Sequence, residues 1–225
     1  MDTLLDIKNL AFGPEGNLLQ DDLSFSVQPG QLTLISGPNG CGKSTLLRVI
    51  LGQMQKLAGE VNFSIDRKNI GFIPQLENTE VHLPLVLSDV LRISSNGKLD
   101  REKVRSFGLL DPDILNIAWN TASGGERKRT LLTRTLMGDP QLLILDEPMN
   151  HLDPESRKVM MQTIVDFLSN STEERPRAAL MVCHHSAVED ANDEQDFASQ
   201  ASEKAVSVVQ LALESKRNQM GEARR

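Results

Sequence analysis

The sequence is poor in aromatic residues and in cysteine: it has no tyrosine, one tryptophan and two cysteines. Cys41 and Cys183 lie far apart in sequence, inside apparent core elements, so their spacing fits neither a metal site nor a disulfide framework. We therefore expect both to be reduced thiols.

The sequence also lacks an excess of positive charge: 24 basic residues face 31 acidic ones, the formal net charge is -7 and the isoelectric point is near 5.2. A broad positive field is excluded, so binding of nucleic acid is not expected. No run reaches the roughly 18 to 20 apolar residues of a membrane-spanning helix, and the start Met1-Asp2-Thr3 lacks the basic and apolar parts of a signal peptide. We expect a cytoplasmic chain that reaches a membrane only peripherally, through a protein partner.

Apolar periodicity predicts alternating strands and helices, which favours an α/β fold with a central, mainly parallel sheet. Residues 76–122 carry helical periodicity without a strong strand run, so we expect a helical insertion there. In the tail, residues 205–213 could form a strand or a helix. Strands are predicted at 5–12, 23–27, 32–36, 60–65, 70–73, 142–145 and 178–183, and helices at 43–51 and 154–168.

A glycine-rich segment joins the predicted strand at 32–36 to the predicted helix at 43–51. It satisfies G-x-x-x-x-G-K-[ST], the pattern of a phosphate-binding loop, in the setting that this pattern requires. Its backbone N–H groups can converge on phosphate oxygens, Lys43 can add a charge for the β and γ phosphates, and Ser44 a hydroxyl for Mg²⁺. A plain glycine-rich turn would need neither side chain. The predicted nucleotide contacts in this loop are Gly37, Asn39, Gly40, Cys41, Gly42, Lys43, Ser44 and Thr45.

Two adjacent carboxylates follow the apolar run at 142–145. Asp146 suits Mg²⁺, and Glu147 can polarise or deprotonate a water in line with the γ-phosphate. Taken alone, the pattern is typical of a strand end followed by a turn at Pro148. The phosphate-binding loop upstream reverses that preference, because a P-loop protein needs a second strand that bears a carboxylate.

A second candidate anion site precedes a helix that is predicted to run to about residue 137. Ser123, Gly124, Gly125 and Glu126 place a hydroxyl and bare N–H groups at the positive end of that helix. In isolation the segment would be interpreted as a simple helix cap. One chain does not need two phosphate cradles for one nucleotide, so this segment is expected to cap ATP bound to another copy.

With these motifs in the family order, the chain resembles the ABC ATPases from near residue 3 to at least residue 186. Residues 123–126 resemble the signature Leu-Ser-Gly-Gly-Gln, with Ala122 in place of Leu and Glu126 in place of Gln. The resemblance implies a P-loop NTPase fold with a mainly parallel central sheet, an N-terminal antiparallel β part and a helical subdomain at 76–122, all in one domain of residues 1–225. It also implies ATP and Mg²⁺ as cofactors and a second ABC ATPase subunit as partner, expected to form a homodimer.

The resemblance assigns roles to four further residues. Gln75 matches the residue that links Mg²⁺ and the attacking water to the helical subdomain, and Asp153 matches the acid of the loop that contacts the other subunit. His184 aligns with the switch histidine that orients the catalytic water, and His185 beside it stands where such proteins often carry Asp. Phe12 stands where the family places an aromatic residue that stacks on adenine; a core position is the competing interpretation.

The process that such an ATPase drives has two candidates. The segment 70–75, together with 83–85 and 89–91, resembles the ATPase subunits of zinc- and manganese-type importers, which implies a separate transmembrane permease subunit. The run 146–153 is similar to that of soluble ABC proteins that act on ribosomes, but those proteins typically carry two ATPase domains on one chain. Transport is therefore the favoured hypothesis.

Overall fold

Two sheets form the framework of the molecule. The computed structural model describes residues 3–14, 17–76, 83–93, 97–183 and 206–214. One sheet is antiparallel in the order β2-β1-β4, and the other is parallel in the order β5-β6-β7-β3-β8. The strands are β1 (Leu5–Phe12), β2 (Gln20–Val27), β3 (Gln31–Ser36), β4 (Ala58–Phe63), β5 (Ile70–Ile73), β6 (Leu142–Asp146), β7 (Ala178–Val182) and β8 (Ser207–Ala212).

Five α-helices accompany the strands in the described part of the chain. A 3-10 helix at Pro112–Asn116 and another at Arg67–Asn69 add single turns. Between β5 and the fourth α-helix, the described residues hold two α-helices and the first of these 3-10 turns, so helix dominates the stretch where an insertion was predicted. The α-helices are α1 (Lys43–Ile50), α2 (Leu87–Arg92), α3 (Arg101–Ser106), α4 (Gly124–Met137) and α5 (Pro154–Ser169).

The central strands are buried on both faces, as near-continuous apolar runs in a parallel sheet should be. All five residues of β6 are buried. Because side chains alternate along a strand, Leu143 and Leu145 pack in the cluster that contains residues of α4 and α5. Leu142 and Ile144 pack in a second cluster with residues of α1 and β1. The parallel sheet therefore lies between a helical layer and a layer made of α1 and the antiparallel sheet.

The parallel arrangement brings the carboxyl ends of the strands to one edge. Ile73 pairs with Leu145 across β5 and β6, and Val182 pairs with both Asp146 and Ile35. The phosphate-binding loop and the two carboxylates, far apart in sequence, consequently leave the sheet at the same edge. Ligands of open α/β sheets bind at this edge.

The structure confirms the α/β fold with a mainly parallel sheet and an antiparallel part near the N-terminus. It also resolves the ambiguity of the tail in favour of a strand, since β8 pairs with β3 over six residues. Two strands differ from the prediction by more than one residue: β2 begins at Gln20 rather than at residue 23, and β4 spans Ala58–Phe63 rather than 60–65. Gln20 is a buried polar residue that donates to the carbonyl oxygen of Cys41 at 3.3 Å, so hydrophobic periodicity did not detect it.

Candidate active site

A cavity of ≈ 930 Å³ opens at the edge where the parallel strands end. It is lined by residues of the phosphate-binding loop, of the start of α1 and of the segments that follow β1, β5 and β6. Its described lining residues are Pro14, Asn17, Leu19, Asn39, Gly40, Gly42, Lys43, Ser44, Thr45, Arg48, Met54, Gln75, Glu147, Met149, Asn150, His151 and Arg157.

Two glycines of the phosphate-binding loop are required by close packing as well as by backbone conformation. Gly42 has φ 107°, and a Cβ atom there would lie 3.1 Å from Cε2 of Phe12. Gly37 has φ 149°, and its Cβ would lie 2.6 Å from the carbonyl oxygen of Leu213. Gly42 is also the N-cap of α1 and provides no side-chain hydrogen bond to the first turn. The backbone N–H groups at this end of α1 are thus arranged for an anion.

Lys43 is a buried cation, with 5% of its surface exposed. Its Nζ donates to the carbonyl oxygens of Gly37 at 2.8 Å and Pro38 at 3.3 Å. These bonds offset the desolvation of the ammonium group and keep it within the loop at the wall of the cavity.

Ser44 and Asp146 meet at the base of the site, 102 positions apart in sequence: the Ser44 hydroxyl donates to Oδ1 of Asp146 at 3.2 Å. Asp146 is 7% exposed. Burial raises the pKa of its carboxyl group, the bond from Ser44 lowers it, and the charge of Glu147 raises it again.

This pair of oxygen groups fits Mg²⁺. Mg²⁺ prefers hard oxygen ligands, is usually held by one or two carboxylates together with substrate phosphates, and keeps several waters. The described residues contain no cluster of three or more His, Cys, Asp or Glu side chains that could hold a metal by themselves. A hydroxyl and one buried carboxylate beside a phosphate-binding loop are therefore the donor set expected for a cation that arrives with its nucleotide.

Glu147 lies directly after β6 in a strained backbone conformation, with φ 49°. Its N–H donates to the carbonyl oxygen of Val182 at 3.1 Å, which fixes the turn to β7. Its Oε2 accepts from Nε2 of Gln75 at 3.1 Å and from Nδ2 of Asn150 at 2.5 Å. The structure thus brings Gln75 and Glu147 together at the cavity, as a shared role in the reaction requires.

The N-terminus of α4 lies apart from this cavity. Ser123 Oγ accepts from the N–H of Glu126 at 3.2 Å, and Oε2 of Glu126 accepts from the N–H of Ser123 at 2.7 Å, which completes a capping box. These bonds lower the pKa of Glu126. Ser123 and Gly124 are exposed and do not line the cavity of their own chain.

Sequence reasoning missed two residues that the structure connects to Glu147. Asn150 holds the carboxylate directly, and Lys128 of α4 donates from Nζ to the carbonyl oxygen of Asn150. Asn150 lies three residues after Glu147, and this short spacing could have predicted a side-chain contact across the turn. Lys128 gave no such signal, because a lysine in the middle of a polar helix is expected to be solvated rather than 8% exposed.

Comparison with known proteins decides the family. Residues 20–150, more than half of the chain, match the family model described as ABC transporter. The chain belongs to the ABC transporter family. The resemblance predicted from the motifs is thereby confirmed, and the chain is an ATP-binding ATPase of this family.

Curated members of the ABC transporter family align over most of the chain. A probable metal transport system ATP-binding protein of Thermotoga maritima is 33% identical over 187 residues, which cover 80% of this chain and 75% of that protein. A zinc import ATP-binding protein of Yersinia enterocolitica is 34% identical over 192 residues, which cover 82% of this chain and 71% of that protein.

Solved ABC structures share the fold. An ATP-binding cassette of an ABC transporter in its ADP conformation superposes with a TM-score of 0.66 at 22% identity and covers 82% of both chains. The ATP-binding subunit of another ABC transporter gives a TM-score of 0.65 at 23% identity, covering 84% of this chain and 82% of that one.

One predicted site residue lies in the core of this structure. Phe12 was expected to stack on adenine, but its side chain is 0% exposed and belongs to the apolar cluster behind the phosphate-binding loop. The residues that line the cavity include Leu19 and Met54. The burial of Phe12 favours the competing core interpretation, and stacking on adenine stays a prediction.

Three further residues were predicted at the site: Asp153, Cys41 and His184. Asp153 caps α5 by accepting from the N–H of Ser156 at 2.9 Å, and this contact lowers the pKa of its carboxyl group. Cys41 is buried, and its burial raises the pKa of its thiol although the Lys43 ammonium works in the opposite direction. His184 lies outside the described residues.

Proposed function

We propose that this chain is the ATP-hydrolysing subunit of an importer for a divalent metal ion, working as a homodimer on a separate transmembrane permease. The observation that carries the ATPase chemistry is the joint position of Ser44, Asp146, Gln75 and Glu147 at one strand edge beside the phosphate-binding loop. The metal-import assignment is supported by the names of the curated relatives. No helix among the described residues combines the length and apolar character that crossing a membrane requires.

In the proposed reaction, the backbone of residues 37–45 and the Lys43 ammonium bind the phosphates of ATP. Ser44, Asp146 and the amide oxygen of Gln75 would hold Mg²⁺, which would supply positive charge for the β and γ phosphates. Glu147 would accept a proton from water through Oε1, because its bonds from Gln75 and Asn150 both fall on Oε2. Those two amide donors orient the carboxylate.

A second copy would complete each site. In the signature segment at 123–126, Ser123 and Gly124 are exposed, and none of the four residues lines the cavity of its own chain, so the helix end could meet the γ-phosphate held by the partner. Asp153 and His184 are proposed to act at the same shared interface. Loss of the γ-phosphate on hydrolysis would remove the attraction across it and reopen the dimer.

Replacing Glu147 tests the catalytic assignment. Glu147→Gln keeps the shape of the side chain and removes its basicity, so we expect turnover to fall by roughly 10²- to 10⁴-fold while ATP still binds. Phosphate release and binding of a fluorescent ATP analogue measure the two properties separately. Normal turnover in this variant would refute the assignment.

The transport role is tested in the organism that carries the gene. Deletion should lower cellular zinc or manganese and slow growth in a chelator, and the wild-type gene, but not the Glu147→Gln gene, should restore both. Affinity purification from membranes should recover a multi-span subunit. Unchanged metal content together with co-sedimentation of the protein with ribosomes would favour the soluble role instead.

A further inference from the structure

Lys128 is a buried cation that the nucleotide site does not use. It lies in the second turn of α4, is 8% exposed and does not line the cavity. Its Nζ donates to the carbonyl oxygen of Asn150. Burial lowers the pKa of Lys128, and the negative charge of Glu147 works in the opposite direction, so the ammonium group and the proposed catalytic carboxylate influence each other.

Asn150 connects this cation to Glu147. Its backbone oxygen accepts from Lys128, and its side-chain Nδ2 donates to Oε2 of Glu147 at 2.5 Å. The turn between the two residues is weakly closed by its own backbone, since the N–H of Asn150 lies 3.4 Å from the carbonyl oxygen of Glu147. Glu147 itself has a positive φ of 49°. This backbone conformation costs energy and persists only when contacts from the surrounding structure impose it. An anchor from outside the turn is therefore needed, and Lys128 provides one.

We propose that Lys128 is a positioning residue for hydrolysis, which fixes the Glu147 carboxylate by holding the 147–150 turn through Asn150. This inference rests on the proposed catalytic role of Glu147. Since Lys128 lies five residues after Ser123, in the next turn of α4, a shift of α4 at the partner's nucleotide would also move the anchor of Glu147. The carboxylate of one site is thereby linked to the helix that serves the other.

A purely structural role for Lys128 is the alternative, and the chain contains a matched control for it. Lys103 of α3 donates from Nζ to the carbonyl oxygen of Met137 at 3.1 Å, at the opposite end of α4. Both lysines tie α4 to its surroundings through a backbone carbonyl, but only Lys128 is connected to Glu147.

The experiment compares Lys128→Met with Lys103→Met, each replacing the ammonium group with an apolar chain of similar length. For Lys128→Met we expect kcat to fall at least tenfold while KM for ATP changes less than about twofold, because the phosphates are bound elsewhere. For Lys103→Met we expect kcat within twofold of the wild type. Thermal unfolding of each variant confirms that the folded protein is compared, and Asn150→Ala, which keeps Lys128, should reproduce the kcat loss if Lys128→Met does not fold.

The Glu147→Gln background separates the two hypotheses. If Lys128 acts through Glu147, adding Lys128→Met to Glu147→Gln should lower the residual rate by less than about twofold. A full additional loss in that background, or equal kinetic effects of the two lysine variants, would overturn the positioning role and leave the function of Glu147 intact. Normal turnover in Glu147→Gln alone would instead overturn the proposed catalytic function.

Discussion

At the scale of single residues, Phe12 packs against the phosphate-binding loop from within the apolar core. Its ring is fully buried, and a Cβ on Gly42 would come within 3.1 Å of its edge. The ring therefore packs against Gly42 in this structure, which favours a supporting role over contact with adenine.

Phe12→Tyr distinguishes these roles. A hydroxyl placed in the apolar cluster without a partner should destabilise the fold by about 1 to 3 kcal/mol, while the dissociation constant for ATP in the folded protein should change less than about twofold. Chemical denaturation and ATP titration measure the two effects. Phe25→Tyr, at a half-buried position of β2, is the control and should cost less, because its hydroxyl can reach water. An adenine-stacking residue would show the reverse: normal stability in Phe12→Tyr and weaker ATP binding in Phe12→Leu.

At the scale of elements, α4 combines a well-capped start with internal anchors. The capping box of Ser123 and Glu126 satisfies two N–H groups at the start of the helix, and lysines hold backbone carbonyls on the 147–150 turn and at the end of α4. The helix interior is polar for its length, and buried threonines bond back to carbonyls four residues earlier. Its position is set by these contacts more than by an apolar stripe.

Glu126→Gln tests the electrostatic part of the cap. The hydrogen bonds from Ser123 lower the folded-state pKa of Glu126 below its ordinary value of 4.5, so the ionised form stabilises the fold above that pH. This contribution is lost as the pH falls through the lowered folded-state pKa. Glutamine keeps the geometry of the cap without titrating. Urea unfolding at pH 7 and near pH 3 should show a smaller acid-induced loss of stability in the variant; an identical loss in both proteins would contradict the predicted linkage.

Local patterns in the sequence were sufficient for some elements of the site and insufficient for others. The apolar runs of β3 and β6 and the spacing of residues 37–45 identify the parallel sheet, the phosphate-binding loop and the two carboxylates, because each depends on neighbours in sequence. The contact from Lys128 to Asn150 spans 22 positions and depends on how α4 packs. The burial of Phe12 depends likewise on the packing of the antiparallel sheet against α1. Neither of these two contacts produces a periodic pattern in the sequence from which it could be predicted.

At the scale of the whole molecule, the catalytic unit is proposed to be two chains with two shared sites. One cavity is lined by residues of the phosphate-binding loop and by Glu147, whereas residues 123–126 of the same chain do not line it. Neither chain alone would then surround the γ-phosphate.

Dimerisation should consequently depend on ATP and on Ser123. In the Glu147→Gln background with Mg²⁺ and ATP, we expect a dimer by light scattering coupled to size exclusion, and a monomer with ADP. Adding Ser123→Arg should abolish the dimer while ATP binding persists, because the large side chain would occupy the place of the partner's phosphate. Ser169→Arg, at the exposed end of α5, is the control and should dimerise normally. A dimer that persists after Ser123→Arg would refute the shared site.

The conformation of the phosphate-binding loop depends on strand β8, which lies outside the loop's sequence motif. It pairs with β3, the strand that delivers the loop, and the backbone of Leu213 lies so close to Gly37 that a Cβ could not fit between them. The carbonyl of Glu214 also accepts from Gln20, at the start of β2. β8 follows every other described element in the chain. The ribosome therefore adds some 170 further residues after the loop at 37–45 before the strand that packs against this loop has been made. Nucleotide capture is therefore expected to appear late in biosynthesis, and a ribosome-bound chain that stops before residue 206 should not yet hold ATP.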